Sequence, residues 1–282
     1  RAAMSTLRPL QTAWHGSGAK MALVYLDDIR LNAEISGPVG GPAVVLIHAL
    51  GTNLHIWDAV VPRLPAGCRV LRFDLRGHGA SDVPPPPYAM GALIRDAERL
   101  IAHFGLRDAV VVGLSLGGLV AQGLAVKRLD LVRAMVLSNT AAKIGNPTLW
   151  QDRITTVRTK GLETMADGIM ERWFAKDFRN SDAVTPWRDL LCATPVEGYV
   201  GCCAAISGTD FYTPTSGLRL PTLGIAGTED GSTPPDLVKE TVDLIPGSRF
   251  RLIRKAGHLP CVEKPDEYAE ILTGFLKDIG HV

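Results

Sequence analysis

Short, predominantly apolar runs recur along the chain and leave it few ways to fold. They are Ala43–Ile47, Arg69–Phe73, Ala109–Val112, Ala134–Leu137, Thr222–Ala226 and Phe250–Ile253. Each has the length of a strand, and continuous apolar character implies cover on both of its faces. Between them, Tyr88 to Phe104 has helical spacing, with Leu93, Ala97, Leu100, Ile101 and Phe104 on one side and Gly105 as a stop. A second helix is predicted from Ser115 to about Lys127. A closing one runs from Asp266 to about Ile279, behind Pro265. Ahead of all these, Tyr25–Ala33 reads as two short strands around an Asp27-Asp28 turn. Strands alternating with helices imply βαβ units: an α/β fold whose mostly parallel sheet is covered by helices on both faces.

The alternation fails once. Between about Asn139 and Thr222 there is no strand signal, yet Trp150, Ile154 and Val157 share a helical face, as do Leu162, Met165 and Ile169. A structureless loop of that length is improbable in a single domain. The segment 141–218 is therefore expected to be a helical cap inserted into a core made of 21–140 and 219–282. Residues 1–20 read as an N-terminal extension or an expression remnant.

Composition narrows the function. Of the 282 residues, 46% are hydrophobic, and 30 Lys+Arg against 29 Asp+Glu leave a net charge of +1. A chain of this kind fills a core and is not natively disordered. It lacks the basic footprint of a nucleic-acid or anionic-membrane binder. Ala109 to Val126 is uncharged, but glycines and Ser115 divide it into strand, turn and helix, so no membrane span is expected. Arg1–Lys20 has no apolar leader segment. Cys68, Cys192, Cys202, Cys203 and Cys261 are odd in number and form no Cys-x-x-Cys, which suits reduced thiols in the cytoplasm.

Gly113-Leu-Ser115-Leu-Gly117 stands between an apolar strand and an apolar helix. In that setting G-x-S-x-G is a nucleophile elbow: the serine sits on a sharp turn so that its hydroxyl projects from the sheet, and the glycines leave the room this needs. A serine hydroxyl needs a base, and the base an orienting acid, here in the chain order Ser, acid, His. His258 follows the last strand, and Asp230 follows the fifth, so both fall at the same sheet edge as Ser115. Glu229 competes with Asp230; Asp230 is preferred. The oxyanion formed on attack needs two N–H donors, assigned to Leu116 and to Leu50 in the loop His48–Thr52. His48 is read as fixing that loop, and Asp74, Arg76 and His78 as bracing the next. Neither a metal nor a cofactor is implied: H-E-x-x-H, G-x-x-x-x-G-K-[ST] and strand-borne G-x-G-x-x-G are missing from the sequence.

From Met21 onward the chain resembles the α/β-hydrolase superfamily, and within it the 3-oxoadipate enol-lactonases. The finer resemblance is carried by Leu50-Gly-Thr-Asn-Leu-His-Ile-Trp57, Asn139–Gly145, Arg172-Trp-Phe174 and Glu197-Gly-Tyr-Val-Gly-Cys-Cys-Ala-Ala-Ile206. It implies a serine hydrolase that opens a small lactone, with a small-molecule lactone or ester as its substrate. Two departures stand out. His48-Ala49 replaces the Asn-Ser of many enol-lactonases. Ser207–Tyr212 replaces Arg-Asp-Ala-Asp-Leu-Arg, so two arginines are missing. The enol-lactone carries a carboxylate, and a substitute cation would come from the cap: Arg153 or Arg172, with Trp150 and Trp173 as apolar wall. Trp150 and Arg153 share a helix face, whereas adjacent Arg172 and Trp173 are expected to diverge, at most one of them pointing directly down. The rival readings are a broad carboxylesterase, a C–C bond hydrolase and, in another class, a non-catalytic small-molecule receptor.

Overall fold

The computed structural model describes residues 20–282. The expected N-terminal extension lies outside them except for Lys20, which belongs to the fold: it opens β1 and pairs with Ile35. The strands are β1 Lys20–Tyr25, β2 Arg30–Ser36, β3 Ala43–Ile47, β4 Arg69–Phe73, β5 Ala109–Leu114, β6 Val132–Ser138, β7 Thr222–Gly227 and β8 Arg249–Ile253. The helices are α1 Met90–His103, α2 Leu116–Lys127, α3 Pro147–Lys160, α4 Glu163–Trp173, α5 Lys176–Arg179, α6 Thr185–Cys192, α7 Val196–Ser207, α8 Tyr212–Ser216, α9 Pro235–Asp243, α10 Pro260–Glu263 and α11 Pro265–Asp278.

The strands form one eight-stranded sheet in the order β1-β2-β4-β3-β5-β6-β7-β8. β2 is antiparallel to both of its neighbours, and β3 to β8 run parallel. Every residue of β3, β5 and β7 is buried, so side chains on both faces are covered, as their unbroken apolar sequences require. The edge strands β1 and β8 are half exposed and carry charges. Asp27 takes the left-handed conformation, φ 63°, in the turn between β1 and β2.

Parallel strands deliver their C-terminal loops to one edge. The loops after β3, β5, β6, β7 and β8 carry Leu50, Ser115, Asn139, Asp230 and His258 respectively. The uncharged stretch Ala109–Val126 divides into β5, the turn at Ser115 and α2. Among the described residues no single helix is long and apolar enough to cross a membrane.

Helices α3 to α8 occupy the whole interval between β6 and β7. α3 packs on α7, and α4 on α6. Of the residues whose spacing predicted these helices, Trp150, Val157, Leu162 and Ile169 are buried, and Ile154 and Met165 are partly buried. The α7 helix meets the loop after β4 backbone to backbone. A Cβ placed on Gly77 would stand 2.5 Å from the Gly198 Cα, and one on Gly198 would stand 2.1 Å from the Gly77 carbonyl oxygen. Tyr88, expected to start α1, instead donates its N–H to Gly201 of α7 at 3.3 Å and its hydroxyl to Pro84 at 2.7 Å, so α1 starts only at Met90.

Candidate active site

Ser115 joins β5 to α2 with φ 56° and ψ −114°, a conformation that costs a non-glycine residue of order 1–3 kcal/mol. The surroundings over-determine it. The Ser115 N–H donates to Ser138 at 3.0 Å, and its carbonyl accepts the Thr140 hydroxyl at 2.7 Å. A Cβ on Gly117 would stand 2.3 Å from the Ile47 carbonyl oxygen, so only glycine lets α2 start this close to β3.

Asp230 and His258 form a buried pair, with His258 Nδ1 2.9 Å from Asp230 Oδ2. The Asp230 carboxylate also accepts the Ser232 and Thr233 N–H groups, at 2.7 and 3.0 Å, the Thr233 hydroxyl at 2.9 Å and the Asn139 side-chain amide at 2.9 Å. Burial alone would raise its pKa. The charge of His258 and these hydrogen bonds outweigh it and leave the carboxyl below the usual range. An ionised Asp230 keeps a hydrogen on His258 Nδ1 and leaves Nε2 as the acceptor. Glu229 is exposed and accepts the Lys176 N–H at 3.1 Å, so it stands outside this network. Ser115 and His258 line one cavity of about 230 Å³, although among the described residues no hydrogen bond joins them. Such contacts are often long before substrate binds.

The Leu50 and Leu116 N–H groups, the two assigned oxyanion donors, have no protein acceptor among the described residues, and Leu50 lines the cavity. Their neighbours are held by two buried histidines. His48 Nε2 accepts the Leu75 N–H at 2.9 Å, and His78 Nε2 accepts the Gly51 N–H at 2.9 Å. Both roles require neutral rings. Burial pushes His48 down to about 4; burial, then the proximity of His48, pushes His78 down to about 3. Asp74 braces the adjoining loops, accepting N–H groups from Leu54 and Ala80 and the Asn32 amide, while Arg76 pairs with buried Asp96. These residues do the bracing work their sequence positions suggested.

The cap supplies the opposite wall. Trp150, Arg153, Ile169, Arg172, Trp173 and Tyr199 face the same cavity as Ser115. The Arg153 guanidinium lies 5.1 Å from the centre of the Trp150 ring, whose Nε1 donates to Ile144 at 2.6 Å. Arg172 and Trp173 both line the cavity. They form the last turn of α4, and the cavity wraps that helix end. The Arg172 carbonyl accepts the Gly231 N–H at 3.0 Å, and the Trp173 carbonyl accepts the His258 N–H at 2.7 Å. Neither Arg153 nor Arg172 forms an ion pair with a carboxylate among the described residues, whereas Arg158 and Arg188 of the same cap do. Burial, and next the charge of Arg153, hold the Arg172 pKa below its ordinary value.

Sequence reasoning missed Asn139, Thr233 and Glu263. Asn139 adopts φ 46° at the end of β6 and reaches both Asp230 and the Gly257 carbonyl. Its sequence signals were an amide side chain directly after a buried strand and its place at the head of the Asn139–Gly145 match. A wider groove of about 550 Å³ between β7, β8 and α11 is lined by Arg219, Arg249 and Asp278 among others, and neither Ser115 nor His258 lines it.

A strained serine turn and a buried Asp230–His258 pair stand together at one edge of a mostly parallel sheet, the arrangement of the α/β class of hydrolases. Residues 42–265 match the family model for the alpha/beta hydrolase fold, and the chain belongs to that family. Its relatives are more particular. It is 31% identical to 3-oxoadipate enol-lactonase 2 of Acinetobacter baylyi, over 89% of this chain and 94% of that one. The enol-lactonase from Burkholderia xenovorans LB400 superposes with a TM-score of 0.86 at 34% identity, covering 92% of this chain and 100% of the other. A hydrolase from Pseudomonas aeruginosa PA01 gives 0.86 at 35%, covering 91% and 98%. This chain is an ester-hydrolysing enzyme.

Proposed function

We propose that this enzyme is a serine hydrolase that opens a small lactone bearing a free carboxylate, 3-oxoadipate enol-lactone above all. His258 Nε2 takes the Ser115 proton as Oγ attacks the lactone carbonyl, and Asp230 stabilises the imidazolium that forms. The Leu50 and Leu116 N–H groups hold the oxyanion. Collapse breaks the ring C–O bond; the enol oxygen leaves with the proton from His258 and tautomerises to the ketone. His258 then deprotonates a water that attacks the acyl-enzyme, and the new carboxylate is released.

The observation that carries this reading is the pair of cap arginines in the same small cavity as Ser115, neither ion-paired with a carboxylate among the described residues. A cation left unpaired in a half-buried site gains from an anionic ligand. The enol-lactonase relatives support the same substrate. All five cysteines are free thiols, which suits a cytoplasmic enzyme.

Steady-state kinetics on the enol-lactone beside neutral aryl esters tests it. A kcat/KM for the lactone well above that for every ester is expected. Equal values would favour a broad carboxylesterase, and failure of a serine-directed phosphonate to label Ser115 would remove the covalent mechanism through that residue.

A further inference from the structure

Glu263 ends the short helix α10, five residues after His258, and no part of the chemistry above uses it. Its Oε1 accepts the Ala175 N–H at 2.8 Å, and its Oε2 accepts the Gly257 N–H. Ala175 lies two residues past the end of α4 in the cap; Gly257 directly precedes His258. One carboxyl group therefore bridges the cap and the loop that carries the base. The two segments also touch without it. The His258 N–H donates to the Trp173 carbonyl, and a Cβ on Gly257 would stand 2.4 Å from that oxygen. The backbone on either side of the His258 ring is thus held against the cap from two directions, once by a main-chain bond and once by Glu263.

We infer that Glu263 is a positioning residue: its carboxylate locks the end of α4 to the Gly257–His258 backbone and so fixes where the catalytic ring stands relative to Ser115. The inference rests on the serine-hydrolase reading. An ionised carboxylate offers acceptors to both N–H groups in charge-assisted bonds. A protonated one loses the charge assistance, and one of its oxygens carries a hydrogen of its own. Burial pushes the Glu263 carboxyl up to about 7, against the two N–H groups that lower it. Glu229, from the loop after β7, adds to the rise, and Lys264 on its own element opposes it. The cap and the His258 loop face it with the two backbone N–H groups. The lock thus tightens as the pH rises through neutrality.

The test follows Ser115 labelling by a fluorophosphonate and kcat/KM for p-nitrophenyl acetate across pH 5.5–8.5. In wild type both should show an ionisation near pH 7 beyond that of the base. Glu263→Gln presents an amide N–H₂ to one of the two donors. It should label about tenfold more slowly at pH 8 and lose that ionisation. Ala175→Pro removes only the cap-side N–H, at a residue whose φ of −61° suits proline. It should slow labelling severalfold and move the ionisation upward, because one of the bonds that lowers the Glu263 pKa is gone. Glu98→Gln takes the same charge from the distant pair with Lys127 and should change neither readout. Wild-type rates and an intact ionisation in Glu263→Gln would overturn the inference; if that variant does not fold, an unmoved ionisation in Ala175→Pro would do so. A wild-type enzyme that the phosphonate does not label would overturn the serine-hydrolase reading itself, and with it the role assigned to Glu263.

Discussion

The two walls of the cavity are built on opposite principles. On the sheet side the buried polar groups satisfy one another: Asp230 spends its carboxylate on five donors, and the two buried histidines accept N–H groups from the loops beside the oxyanion donors. What stays free there is the Ser115 hydroxyl and two N–H groups, the groups a carbonyl would meet. On the cap side the charges are not satisfied internally. Arg153 and Arg172 lean on tryptophan and on helix backbone and find no carboxylate among the described residues. On the function proposed above, reaction and selection would be separately housed: the sheet edge would meet the transition state, and the cap would receive the anionic ligand.

The comparison breaks most simply at the nucleophile. Ser115→Ala should lower kcat on the order of 10⁶-fold on lactone and neutral ester alike. Near wild-type turnover in purified variant would remove the sheet edge from the chemistry. Asp230→Asn should cost about 10⁴-fold in kcat by leaving the wrong imidazole tautomer, again on both substrates. Glu229→Gln should change kcat little, because its carboxylate serves only the cap backbone at Lys176. The opposite ranking would transfer the acid role to Glu229.

The cap side should respond differently. Arg172→Ala should raise KM for the enol-lactone roughly 10- to 100-fold, the worth of a hydrogen bond to a charged group, and hardly alter a neutral aryl ester. Arg153→Ala should act in the same direction but less strongly, because Trp150 already faces its charge. Equal losses on both substrates would assign these arginines to packing.

The smallest effect expected is on stability. His48 and His78 have folded pKa values below the unfolded 6.5, so the unfolded chain binds the extra protons first. The stability they lend is complete above about 6.5 and is lost as pH falls toward 4 and 3. By pH 5 each should cost roughly 2 kcal/mol. Urea unfolding of wild type and His48→Gln at pH 7 and 5 checks this. The variant, which cannot titrate at position 48, should lose less on acidification; an equal loss in both would mean that His48 takes up its proton without unfolding pressure.

The same contrast explains what could be read from the chain. β3, β5 and β7 were legible because strands buried on both faces leave unbroken apolar runs, and Ser115, Asp230 and His258 because parallel strands carry their following loops to one edge. The cap was legible as helices, since Trp150, Val157 and Ile169 keep helical spacing. The bracing groups were hidden. Asn139 meets Asp230 across 91 positions of chain, and Glu263 meets Ala175 across 88, with no periodicity to announce either.

The back-to-back glycines of the loop after β4 and of α7 have a consequence for the history of such enzymes. Neither Gly77 nor Gly198 has room for a methyl group while the other stays in place. The two positions are therefore locked into joint inheritance: a mutation at one is not rescued by shrinking its partner, which is already as small as a residue can be. A cap transplanted from another hydrolase would have to arrive with glycine at the touching point, or the graft would be pried off the scaffold before its own selectivity could be expressed.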